Sequence, residues 1–93
     1  MRQIEEIRND INKLDDELLR LYLRRLELSK EVAEFKIANN LPVLNSSREQ
    51  YIIDRMCEGL DEEMSGYVRE LYLKIFELSR KRQEILIKER ENG

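Results

Sequence analysis

Histidine is absent from this 93-residue chain, and so is tryptophan. Without histidine, no serine or cysteine can have an imidazole base, and the usual zinc ligand sets cannot be assembled. Cysteine occurs once, at Cys57. An internal disulfide is therefore impossible, and the residue reads as small apolar filler in a reducing compartment. Three glycines and one proline leave no glycine-rich phosphate loop. No apolar run approaches the roughly 18 residues that a bilayer requires. The opening MRQIEEIRND is too charged for a signal peptide, so the expected location is cytoplasmic and no membrane partner is expected. The formal net charge of −3 argues against a nucleic-acid partner, which usually selects a basic excess. Period-two alternation is nowhere sustained, and repeats and domain linkers are missing.

Charge and apolar periodicity remain. Charged residues make up 40% of the chain and aromatics 6%, a composition of long helices. The expectation is an all-α fold, with residues 1–93 as one domain of three helices, long, short and long. Ile4, Ile7, Ile11, Leu14, Leu18, Leu21, Leu28, Val32 and Phe35 recur at three-four spacing and mark a helix over about 3–40. Asn39 or Asn40 can adopt the left-handed cap, and Pro42 forbids simple continuation. A loop covers 41–46. Ser46 followed by Glu49 matches a capping box and opens a helix over about 47–58, ended by Gly59. Asp61 can cap a third helix over about 62–90, with Val68, Leu71, Tyr72, Ile75, Leu78, Ile85 and Leu86 on its seam.

The first helix would be about 54 Å long at 1.5 Å per residue. A compact monomer of this size is roughly 30 Å across. Two shorter helices cannot cover so long a seam, and no glycine or proline lies between residues 3 and 41 to fold it back. A second copy in a two-fold, intertwined homodimer is the simplest cover.

Polar residues interrupt these seams. Arg25 stands where a seam leucine is expected, and a buried lone guanidinium costs several kcal/mol unless an anion meets it. Lys36 follows eleven residues later, close to three turns, on nearly the same face. Ser79 and Gln83, at i and i+4, share a face of the third helix. Arg48 and Glu49 open the short helix, and Arg8 lies one turn from Ile4 and Ile11. RKR at 80–82 and KERE at 88–91 read as solvated face. The interrupting set describes an electrostatic pocket for a small anion, without covalent chemistry. Arg8 and Arg25 are seventeen residues apart, about 25 Å on one helix. If both serve one small ligand, one of them comes from a partner chain.

The order of these residues resembles the all-helical chorismate mutases over about residues 4–86. The segments that carry the resemblance are IRNDINKLDDELLRL, RRLELSKEVAEFK, PVLNSSRE and SRKRQ, in the family's order and at near-constant spacing. The resemblance implies conversion of chorismate to prephenate in homodimers with shared sites, with no cofactor and no metal. By position, it assigns substrate carboxylates to Arg25 and to Arg8 of the partner chain, and the ether oxygen to Lys36 and Gln83. Glu49 and the backbone near Asn45 would bind the ring hydroxyl, Ser79 would add a carboxylate contact, and Arg48 would order the acidic groups and the substrate. Asn45 departs from the aspartate common in the family. The alternatives are an isochorismate pyruvate-lyase on the same scaffold, or a non-catalytic helical dimer that serves as a plain adaptor or senses a metabolite.

Overall fold

The computed structural model describes Met1 to Asn92. Its elements are α1 (Ile4–Asn39), α2 (Ser46–Cys57) and α3 (Glu62–Asn92), all helical, as the periodicity predicts. Helix α1 runs unbroken for 36 residues. Glu5 and Glu6 in its first turn complement the positive end of its dipole, and Lys36 the negative end. It stops where Asn40 turns left-handed at φ 53°, which lets Leu41 N–H reach the Lys36 carbonyl at 2.9 Å. Asp61 caps α3 as expected, its Oδ1 accepting from Met64 N–H at 2.8 Å.

The start of α2 differs from the expected capping box. The cap is Asn45, whose Oδ1 accepts from Arg48 N–H at 3.1 Å. Ser46 is already helical. Asparagine caps as well as serine, and the shift by one residue frees the Glu49 side chain from the helix end. Gly59, at φ +78°, turns the chain into the next helix, with Leu60 N–H bonded to the Cys57 carbonyl at 3.0 Å.

Helix α3 is the middle member. Helix α1 packs along part of it and α2 along another part, while α1 and α2 do not pack on each other. The buried residues are few: Ala33, Ile53 and Phe76, with Ser29, Ser79 and Gln83. Small side chains at Ser29, Ala33 and Ser79 let α1 and α3 approach closely. This contact uses a different stripe of α1 from the leucines. Leu21, Leu28, Val32 and Phe35 stay exposed, flanking the contact rather than filling it.

The result is a slab measuring 57 × 28 × 14 Å, one helix deep, since a helix with its side chains is about 10–12 Å across. The radius of gyration is 17.0 Å, against about 12 Å for a compact domain of this length. The chain exposes 7789 Å², where a compact monomer of its mass exposes about 5,700 Å². Half of the exposed large apolar side chains lie on α1, where Leu14 and Leu18 are 63% and 61% exposed. Among the described residues, no helix is long and apolar enough to cross a membrane.

Candidate active site

The polar interruptions of α1 and α3 meet where those helices touch. Ser29 and Ser79, one from each helix, form a buried hydroxyl–hydroxyl bond of 2.6 Å. One turn further along α3, Gln83 is buried, and its Nε2 donates to Ser79 Oγ at 3.4 Å. Two turns along α1 from Ser29, Lys36 turns inward. Its Nζ donates to the Val43 carbonyl at 2.6 Å and to Gln83 Oε1 at 3.1 Å. The first bond ties the 41–46 loop to α1, and the second ties α1 to α3.

An ammonium has three N–H donors, and these two acceptors leave one of them uncommitted. Burial pushes the Lys36 amine below the ordinary lysine range, and the nearby Glu49 carboxylate opposes that shift. The amide of Gln83 is also oriented. Its oxygen takes the lysine, so its NH₂ faces the other way, with only the long contact to Ser79 on it.

These groups border a cavity of about 300 Å³, within the range of small-molecule sites. Arg25, Ser29 and Lys36 line it from α1, and Phe76, Ser79, Arg80 and Gln83 from α3. The loop and α2 contribute Val43, Asn45, Arg48, Glu49 and Ile52. Because α1 and α2 each pack on α3 and not on each other, α3 forms the floor and the other two stand as walls.

Arg25 is half-buried, with its guanidinium carbon 5.8 Å from the centre of the Phe76 ring. A ring face supports a cation without consuming its N–H donors, so the fork remains available to a carboxylate. Arg48 is exposed and lies 5.2 Å over the Tyr51 ring at the mouth.

Seven of the eight residues singled out in the sequence therefore line one cavity: Arg25, Lys36, Asn45, Arg48, Glu49, Ser79 and Gln83. Arg8 does not. It is exposed on the end of α1 that no other helix of the chain covers. The tripeptide at 80–82 requires a correction. Lys81 and Arg82 are exposed, but Arg80 is not. Its Nη1 donates to Glu49 Oε2, and the two side chains keep 30% and 23% of their exposure. Arg80 lies i+4 from Phe76 and i−3 from Gln83, which places it on the same face; that spacing was the available signal. The carbonyl of Val43 and the hydroxyl of Ser29 were also missed. A backbone acceptor leaves no trace in the sequence, and a serine among leucines is not by itself informative.

The cavity thus carries four cations and one carboxylate, an excess of positive charge in a chain whose net charge is negative. It can bind a compact polyanion, to which Lys36 and Gln83 each have an N–H donor to offer.

A family model described as "Chorismate mutase type II" matches residues 7–84. Among curated proteins, the chain is 35% identical over 68 residues to a bifunctional chorismate mutase/prephenate dehydratase of Aquifex aeolicus, covering 73% of this chain and 18% of that protein. It is 38% identical over 56 residues to a chorismate mutase of Methanocaldococcus jannaschii, covering 60% of this chain and 57% of that protein. The same identity over 56 residues relates it to an intracellular chorismate mutase of Mycobacterium tuberculosis, with 60% and 53% covered. The chain spans less than two thirds of the length of each of these relatives.

Proposed function

The chain belongs to the type II chorismate mutase family, and on that premise we propose that it converts chorismate to prephenate in a site completed by a second copy of itself. The observation that carries this reading is the arrangement around Lys36. Its ammonium is fixed by Val43 and Gln83, and one N–H remains for a ligand in a cationic cavity.

The rearrangement breaks a carbon–oxygen bond while a carbon–carbon bond forms in the same molecule. It transfers no proton to or from the protein. Arg25 takes one carboxylate of the dianion, and Arg8 of the second copy takes the other. Together they hold the chair-like conformer in which the reacting carbons face each other. Negative charge gathers on the ether oxygen as the bond breaks. Lys36 and the Gln83 NH₂ donate to that oxygen, and their positions are set before the reaction begins. A million-fold acceleration requires about 8 kcal/mol. Charge-assisted hydrogen bonds contribute about 1.5–3 kcal/mol each, so the two donors and the selected conformer share the work at plausible scale.

The homodimer reading has physical support of its own. The surface excess over a compact monomer is about 2,000 Å² per chain, of the order buried in obligate interfaces. It includes Leu14, Leu18 and Leu21 on the uncovered part of α1. Arg8 belongs to that same part of α1, so the surface that needs cover also carries the missing cation.

Loss of chorismate absorbance with purified protein tests the reading. Lys36→Ala and Gln83→Ala should each lower kcat at least a hundredfold, corresponding to about 2.7 kcal/mol. Unchanged turnover in either variant would reject the donor assignment. Isochorismate supplied in parallel separates the lyase on the same scaffold, and binding without turnover would identify a metabolite sensor.

A further inference from the structure

We propose that Arg80 is a positioning residue for Glu49, committing one carboxylate oxygen to the protein so that the other selects ligands carrying a hydroxyl. The inference rests on the cavity being the site for a chorismate-like dianion. The pair joins two elements: Glu49 opens α2, Arg80 lies on α3, and the contact crosses the cavity wall.

A free carboxylate inside a pocket for a dianion repels its ligand and can rotate away from it. Glu49 is restrained against both. Arg80 donates to Oε2, while Oε1 has no protein partner among the described residues. The guanidinium compensates the charge, as a partly buried carboxylate requires. It also fixes the torsion of the carboxylate, so the open oxygen has one direction. Glu49 has left the helix cap to Asn45, so no local hydrogen bond competes for it.

A carboxylate oxygen accepts hydrogen bonds and donates none when ionised. The partner it selects is therefore a hydrogen-bond donor, which on a chorismate-like dianion is the hydroxyl, and a dianion without one leaves a partly buried acceptor unpaired. Such an arrangement discriminates strongly, because the wrong ligand pays for an empty polar contact. Arg80 produces this selectivity without touching the reacting atoms.

The test uses two rigid bicyclic dicarboxylates that mimic the chair-like transition state, one with the ring hydroxyl and one without. Calorimetry gives their affinities for the wild type, Arg80→Met, Arg80→Lys, Glu49→Gln and the Arg80→Met/Glu49→Gln double variant, each checked for helicity. The wild type should prefer the hydroxyl compound by tenfold or more. Arg80→Met should lower that preference about tenfold, and Arg80→Lys should recover much of it. In the Glu49→Gln background, Arg80→Met should cause no further loss of preference. With chorismate as substrate, Arg80→Met should act mainly on KM.

A preference left intact in Arg80→Met overturns the proposal. So does an equal loss with and without Glu49, since Arg80 would then act on the ligand or the fold directly. Discrimination by a wild type that does not turn over chorismate defeats the mutase reading and leaves Arg80 standing. Turnover with unaltered discrimination in Arg80→Met does the reverse. If the wild type binds neither compound, both fall.

Discussion

Single side chains in this protein are read best by what their second contacts are. Lys36 donates to Val43 and Gln83 before any ligand arrives, and burial lowers its pKa. In the proposed mechanism the protonated form is the useful one, so kcat/KM should fall at basic pH, earlier than an ordinary lysine would dictate. Bound dianion holds the proton on, so the fall in kcat should lie at higher pH than that in kcat/KM. The uncharged Gln83 adds no titration of its own near neutrality. Coincident limbs in the two profiles would count against Lys36. For stability the sign is opposite: the unfolded chain binds this proton more tightly, so the free protein gains stability as pH rises through the folded pKa. Asn45 gives a second case. Its side chain caps α2, so Asn45→Ala should cost about 1 kcal/mol in chemical denaturation, and Asn45→Asp should stay within a few tenths of a kcal/mol. The change from the family's common aspartate is mild if the side chain's duty is the cap. Residues on seams, such as Arg25, Lys36 and Gln83, were legible in the sequence because each violates an apolar pattern. Arg80 was hidden by its charged neighbours, since a cation in a run of cations breaks no rule.

At the scale of elements, the helices follow from spacing and caps. Periodicity and the αL asparagine set the extent of α1, and Asp61 set the start of α3. What periodicity could not reveal is which stripe meets which neighbour. Leu21, Leu28 and Val32 satisfy the pattern, yet α1 meets α3 through Ser29 and Ala33. Close packing favours small side chains at the point of contact, and a hydropathy pattern ranks those low. Two glycines show how differently one residue type can act. Gly59 sits at φ +78°, where a side chain is strained, whereas Gly66 lies within α3 with open space where a Cβ would go. Gly66→Ala should stabilise the protein by roughly 0.5–1 kcal/mol, since alanine loses less backbone freedom in a helix. A lower denaturation midpoint for Gly66→Ala would mean that another surface approaches α3 there.

The molecule as a whole is a plate of helices with an uncovered apolar edge. Its proportions were legible in part. A helix too long for its neighbours was expected from the sequence, while the separation of α1 from α2 by α3 was not, because no sequence pattern records which helix stands in the middle. If each site takes Arg25 from one chain and Arg8 from the other, Arg8→Ala and Arg25→Ala should each be nearly inactive alone. Mixed and exchanged at equal amounts, they should recover about a quarter of wild-type activity, because random two-fold pairing leaves one site in four with both arginines. Recovery of none would place both arginines in one subunit's duties or deny the pairing.

The thickness of 14 Å has a practical corollary. A body one helix deep has hardly any inside of its own, and if a second copy covers it as proposed, folding and association become a single concentration-dependent event. Diluting such a protein in a cuvette thins out its walls along with its molecules. Specific activity measured at trace amounts would then report how many chains have found a companion before it reports chemistry.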